Sequence, residues 1–159
     1  MISTWVSRME GSSSSVSSKS HDNGFNAGLT IISSIDNCPA GADFDLILRA
    51  FGSACGRCDD GGNQIITLST KRGQGLADPR DLQRLTARID DLTCVSNSSR
   101  VCICGVEALL LWNGSQQVRE FLIRIDEDFK RRGARAFLVL REDALPIEDV
   151  RMIKEILSR

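Results

Sequence analysis

From Leu29 onward, short apolar, β-branched runs alternate with stretches whose apolar residues recur at helical spacing. This alternation restricts the fold more than any other feature. A strand apolar on both faces must be covered on both faces. Leu29-Thr30-Ile31-Ile32, Ile65-Ile66-Thr67-Leu68, Val101-Cys102-Ile103-Cys104 and Ala136-Phe137-Leu138-Val139-Leu140 read as four such strands. The run Phe44, Leu46, Ile47, Leu48, Ala50 and Phe51 predicts a helix from near Ala42, ended by Gly52. Asp78 as cap and Pro79 as first residue open a second helix, with Asp81 at the positive end of its dipole and Leu82, Leu85, Ile89 and Leu92 on its apolar face. Ser115 reads as the cap of a long helix with Val118, Phe121, Leu122, Ile125 and Phe129 on one face, stopped by Gly133. Residues 147–157 form a last amphipathic helix. Strand and helix alternating four times require right-handed crossovers. The expectation is a three-layer α/β domain, its sheet mainly parallel and its helices on both faces.

Residues 1–26 differ in kind. Ser12-Ser13-Ser14-Ser15 and Ser17-Ser18 stand among glycine, asparagine and lysine, a composition that buries too little apolar surface to offset the entropy of ordering it. They read as a flexible leader, with a single domain over 27–159. The one histidine, His21, lies inside the leader, and there is no tyrosine, so histidine-based acid/base and hydrolytic chemistry lacks its central group. Twenty basic groups against twenty-one acidic ones, a formal net charge of −1, give no nucleic-acid footprint. No apolar run approaches the about 18 residues that span a bilayer, and the first six residues are too short and broken for a secretory signal. The composition predicts a cytoplasmic chain that meets neither nucleic acid nor membrane. In that setting Asn97-Ser98-Ser99 and Asn113-Gly114-Ser115 have no meaning as glycosylation acceptors.

In an α/β fold the loops at the carboxyl ends of the strands decide the chemistry. No GxxxxGK[ST] and no GxGxxG follows a strand; Gly73-Gln74-Gly75 supplies two glycines and lacks the third. A GxSxG elbow is absent, and Cys104 stands where a receiver domain would carry an acidic residue. No catalytic residue is assigned.

Several segments in order carry a resemblance. Ile66-Thr67-Leu68-Ser69-Thr70 ends a strand, and Asp78-Pro79-Arg80-Asp81-Leu82 opens a helix. Val101-Cys102-Ile103-Cys104-Gly105-Val106-Glu107-Ala108-Leu109 gives an apolar strand, Gly-x-Glu and a leucine. Asn113-Gly114, the Phe121-Leu122 helix, Gly133 before the last strand and Ala144-Leu145 after it complete the series. From Asn63 to the C-terminus the chain thus resembles a family of archaeal domains of unknown function. These occur alone or joined to sensory modules and are regarded as degenerate relatives of the RecA/KaiC-like ATPase core without its P-loop. The resemblance implies a RecA-like sheet that has lost nucleotide hydrolysis and serves in sensing or signalling. The chain departs from the family where an acidic residue usually precedes the glycine, in the place of a Walker B aspartate. Cys104 removes that magnesium-holding carboxylate. Glu107, just past the same strand end, is the remaining acidic candidate. Its plainer reading is a residue capping the short helical turn through Leu111.

The six cysteines divide into groups. Cys55-Gly56-Arg57-Cys58 has the spacing of zinc knuckles and thiol-disulfide enzymes. Read as following a helix and preceding Asp59-Asp60-Gly61-Gly62, it lacks the strand-to-helix setting that activates a redox thiol. A zinc or iron site would need Cys38 and Cys94 to complete it from separate loops. Cys102 and Cys104 alternate with Val101 and Ile103 and read as small buried hydrophobes on one strand face. Lys130-Arg131-Arg132 with Arg135 ends the long helix and reads as a solvated, dipole-stabilising cluster, the rival being an anion or acidic-partner contact. The leading expectation is a non-enzymatic regulatory or protein-interaction domain, binding a partner protein or a second copy and needing no cofactor. The alternative is a thiol-based redox sensor or metal-binding domain centred on Cys55 and Cys58. A third is a module that binds ATP without hydrolysing it.

Overall fold

The computed structural model describes residues 26–33, 44–50, 64–94 and 99–159. Six strands, Gly28–Ile32 (β1), Leu46–Ala50 (β2), Gln64–Leu68 (β3), Leu76–Ala77 (β4), Arg100–Cys104 (β5) and Arg135–Val139 (β6), form one sheet in the order β1-β6-β5-β2-β3-β4. Every pairing is parallel. Four helices, Leu82–Thr93 (α1), Val106–Trp112 (α2), Ser115–Arg132 (α3) and Ile147–Leu157 (α4), complete the described elements, with a 3-10 turn at Glu142–Ala144. The chain is an α/β protein with an all-parallel sheet, consistent with the three-layer class. None of the described helices is long and apolar enough to cross a membrane.

Period-two alternation along the strands sorts the core into two clusters. Leu29, Leu46, Leu48, Ile66, Leu68, Val101, Ile103, Ala136 and Leu138 point to one face. There they meet Leu85 and Ile89 of α1, Val106 and Leu109 of α2, Phe121, Leu122, Ile125 and Phe129 of α3, and Ile153 and Ile156 of α4. The opposite face carries Ile32, Ile47, Cys102, Cys104 and Phe137, with Phe44 edge-on to the Phe137 ring at 5.8 Å. Among the described residues, helical side chains occur only in the first cluster.

Four expected strands appear with ends shifted by at most one residue, and two more accompany them. The segment expected to be a helix near residues 42–51 is instead strand β2 over Leu46–Ala50. Leucine and alanine favour helices, but a five-residue run flanked by β3 and β5 gains more from two ladders and burial on both faces. The two-residue edge strand β4 has too little pattern to be read in advance. Helix α1 begins later than expected. Its cap is Asp81, which accepts the Arg84 N–H at 3.0 Å, whereas Asp78 accepts the N–H of Arg80 at 2.9 Å in a preceding turn. Ser115 is the first residue of α3 rather than its cap; its hydroxyl donates to Asp149 Oδ1 at 2.6 Å. Gly133 ends α3 as expected, with a φ of 71°. The leader, His21, Cys38, Cys55 and Cys58 lie outside the described residues, apart from Asn26 at the leader's end.

Candidate functional site

The strand order reverses between β2 and β5, the position where open parallel sheets leave a crevice at their carboxyl ends. Arg49 of β2 is there the register partner of Cys104 on one side and of Thr67 on the other. Its Nε donates to Thr67 Oγ1 at 3.3 Å. All three belong to the sheet face of the second cluster. Cys102 lies two residues before Cys104 on the same face, and the two sulfurs are 3.3 Å apart, both buried.

Gly105 then carries the chain off the sheet with a φ of 150°. A Cβ there would come within 2.9 Å of the Ala50 backbone nitrogen, so only glycine lets the ends of β2 and β5 approach this closely. Glu107 follows in the first turn of α2, half-buried, where a carboxylate complements the helix dipole. The structure therefore brings Cys104 and Glu107 to one strand end, with Arg49 beside them. Arg49 was legible as the single charge in an apolar run, but a helical reading hides that it sits in mid-sheet.

The same strand reassignment changes the setting of Cys55 and Cys58. Strand β2, not a helix, precedes them in sequence, which supplies the strand of a strand-to-helix setting, while the next described element is strand β3. Cys94 is exposed at the end of α1, its sulfur 3.2 Å from the Asp91 carbonyl oxygen. Among the described residues no three histidine, cysteine or acidic side chains are grouped to hold a metal.

The basic cluster ending α3 is internally neutralised. Lys130 Nζ lies 2.8 Å from Asp126, Arg131 pairs with Asp128, and Arg132 reaches Asp128 at 3.3 Å and Asp90 at 3.6 Å. Burial together with the neighbouring Asp128 charge pushes the Asp90 carboxyl above its usual range, against the pull of Arg132. The rival reading, an anion contact here, gains nothing from Lys130, Arg131 and Arg132, because each already faces a carboxylate. Asn113 is likewise committed, its amide donating to the Pro79 and Leu109 carbonyl oxygens at 2.8 Å each.

A different surface draws attention at the strand-end rim. Leu111 and Trp112, at the end of α2, are 79% and 49% exposed, and Ile147, opening α4, is 73% exposed. The Ser115–Asp149 bond ties the start of α4 to the start of α3, just past Trp112. Arg80 stacks over the Trp112 ring at 5.9 Å while its guanidinium grips Asp78 at 2.7 Å. That hydrogen-bonded guanidinium holds the Asp78 carboxyl down at about 2. Beside them a groove of about 530 Å³ opens between α1 and α3, with Phe121 and Arg124 in its lining. Comparison with protein families, with curated proteins and with solved structures finds no match for the chain.

Proposed function

We propose that the chain is a non-enzymatic regulatory or protein-interaction domain of signalling type, a RecA-like core without ATP hydrolysis. The observation that carries this reading is the exposure of the adjacent Leu111 and Trp112 at the end of α2, with Ile147 also exposed at the start of α4. Isolated exposed apolar residues are ordinary, but adjacent large ones beside an open groove cost solubility unless something covers them. The absence of a P-loop sequence and the cysteine at position 104 support the loss of hydrolysis. Sedimentation of the full chain across concentration, run beside an ATP turnover assay, tests the proposal. The expected result is no turnover, with self-association or a stoichiometric complex that Leu111→Asp weakens. ATP hydrolysis that Glu107→Gln abolishes overturns it.

A thiol-based sensor or metal-binding domain centred on Cys55 and Cys58 is the second reading. It is favoured by the strand that precedes the pair and by the close Cys102 and Cys104 sulfurs on the same sheet. Elemental analysis for zinc and iron with thiol counting decides it. A metal-free protein with six freely titrating thiols and a wild-type Cys55→Ser variant sinks it.

A further inference from the structure

A cleft of about 730 Å³ lies between the loop joining β3 to β4 and the outer face of α1. The whole chain is balanced, with 20 basic and 21 acidic groups. This cleft is not: Lys71, Arg72, Arg80, Arg84 and Arg88 line it against only Asp78 and Asp81.

Both carboxylates are already spent. Asp78 is held by Arg80 through bonds of 2.7 and 2.9 Å, and Asp81 caps α1. Arg88 gives Nη1 to the Leu76 carbonyl oxygen at 2.6 Å, which leaves its remaining N–H groups available. Among the described residues no carboxylate pairs with Lys71, Arg72 or Arg84. Arg84 and Arg88 stand one turn apart on the same helix face, and like charges at that spacing destabilise a helix. The basic cluster ending α3 shows the contrast, since there every lysine or arginine of the helix's last turn meets an aspartate. Uncompensated cations converging on one cleft call for an anion from outside.

We propose that this cleft binds a compact ligand through a di- or triphosphate group. Guanidinium forks match phosphate oxygens bidentately, and three arginines and a lysine can share several such oxygens. No aromatic side chain lines the cleft, so it offers no stacking platform for a base. The phosphates are therefore what it reads, whether free or carried on a nucleotide. The cleft adjoins the Leu111–Trp112 rim through Arg80, which stacks on Trp112, but Lys71, Arg72, Arg84 and Arg88 carry the phosphate proposal and Leu111 the docking test, so the two can fail independently.

Titration calorimetry of the full chain with sodium tripolyphosphate, ATP and sodium sulfate, at two salt concentrations, tests this. Tripolyphosphate should bind more tightly than sulfate and weaken as salt rises. ATP should match tripolyphosphate to within about tenfold. Arg84→Glu should weaken binding by roughly tenfold or more, the Lys71→Glu/Arg72→Glu pair further, and Arg151→Glu on exposed α4 not at all. Arg84→Gln, which removes charge without reversing it, should fall between, with circular dichroism confirming the fold of each variant. Equal binding of sulfate, no binding at millimolar tripolyphosphate, or a folded Arg84→Glu variant that binds like wild type overturns the proposal. So does ATP binding far more tightly than tripolyphosphate.

Discussion

Asp126 Oδ1, on α3, accepts the backbone N–H of Leu29 at 2.8 Å, across 97 positions of sequence. Gly28 donates to Ala134 on the β6 side, so the next amide, that of Leu29, points outward from the edge strand. An unpaired edge amide invites pairing with another chain, and here a buried carboxylate closes it. The other carboxylate oxygen takes Lys130 at 2.8 Å.

Asp126→Ala leaves the Leu29 amide buried without its acceptor and should destabilise the protein by about 1.5–3 kcal/mol. Asp126→Asn, which keeps a carbonyl acceptor and loses the ion pair, should cost less. Urea unfolding measures both. An alanine variant with the wild-type midpoint would remove Asp126 as the anchor of β1.

Gly105→Ala places a Cβ 2.9 Å from the Ala50 nitrogen and forces a side chain onto a φ of 150°. Backbone strain of this kind costs on the order of 1–3 kcal/mol. The expected outcome in a thermal melt is a clear drop in Tm, larger than for Gly114→Ala, whose Cβ would meet nothing within 4 Å. Equal melts for the two variants would contradict the close approach of β2 and β5.

Asp78 titrates far below an ordinary carboxylate because Arg80 is hydrogen-bonded to it. A folded value of about 2 against 3.8 means that the unfolded chain takes up the proton first as pH falls. The pair's contribution to stability is therefore complete above 3.8 and is lost as pH drops through about 2. Carboxyl NMR titration should find Asp78 ionised throughout pH 4 to 7, and Arg80→Ala should return it to the usual range. An Asp78 resonance that titrates normally in the wild type refutes the pairing.

Among the described cysteines, Cys94 is exposed and Cys102 and Cys104 are buried. Brief iodoacetamide labelling followed by peptide mass spectrometry should mark Cys94 in the native protein. The strand pair should react only after unfolding, slower by orders of magnitude. Prompt native labelling of Cys102 would show that the second sheet face opens readily.

Much of this architecture is legible in residue order. The β-branched runs at 29–32, 65–68 and 101–104 announce strands because few other structures bury such runs on both faces. The face of α3 was legible for the same kind of reason, with Val118, Phe121, Leu122, Ile125 and Phe129 spaced to cover one stripe. Leu46–Ala50 misleads because periodicity over five residues, four of them apolar, does not separate a buried strand from a buried helix turn. That error also concealed Arg49 at the strand end and gave Cys55 and Cys58 the wrong predecessor. The cap of α1 was misplaced because Asp78 and Asp81 both precede the helix with suitable chemistry, and only the competing Arg80 bond separates their roles.

The sequence by itself determined the class of the fold and that no GxxxxGK[ST] motif is present, since both rest on local pattern and residue inventory. The tertiary structure decided which charges are answered. Lys130, Arg131 and Arg132 form an evident basic run in the sequence, yet aspartates on α3 and α1 neutralise it. Lys71, Arg72, Arg84 and Arg88 are scattered along a loop and a helix, yet they converge on one cleft whose two carboxylates are already engaged. Electrostatic interaction depends on distance in space, which only the folded chain specifies.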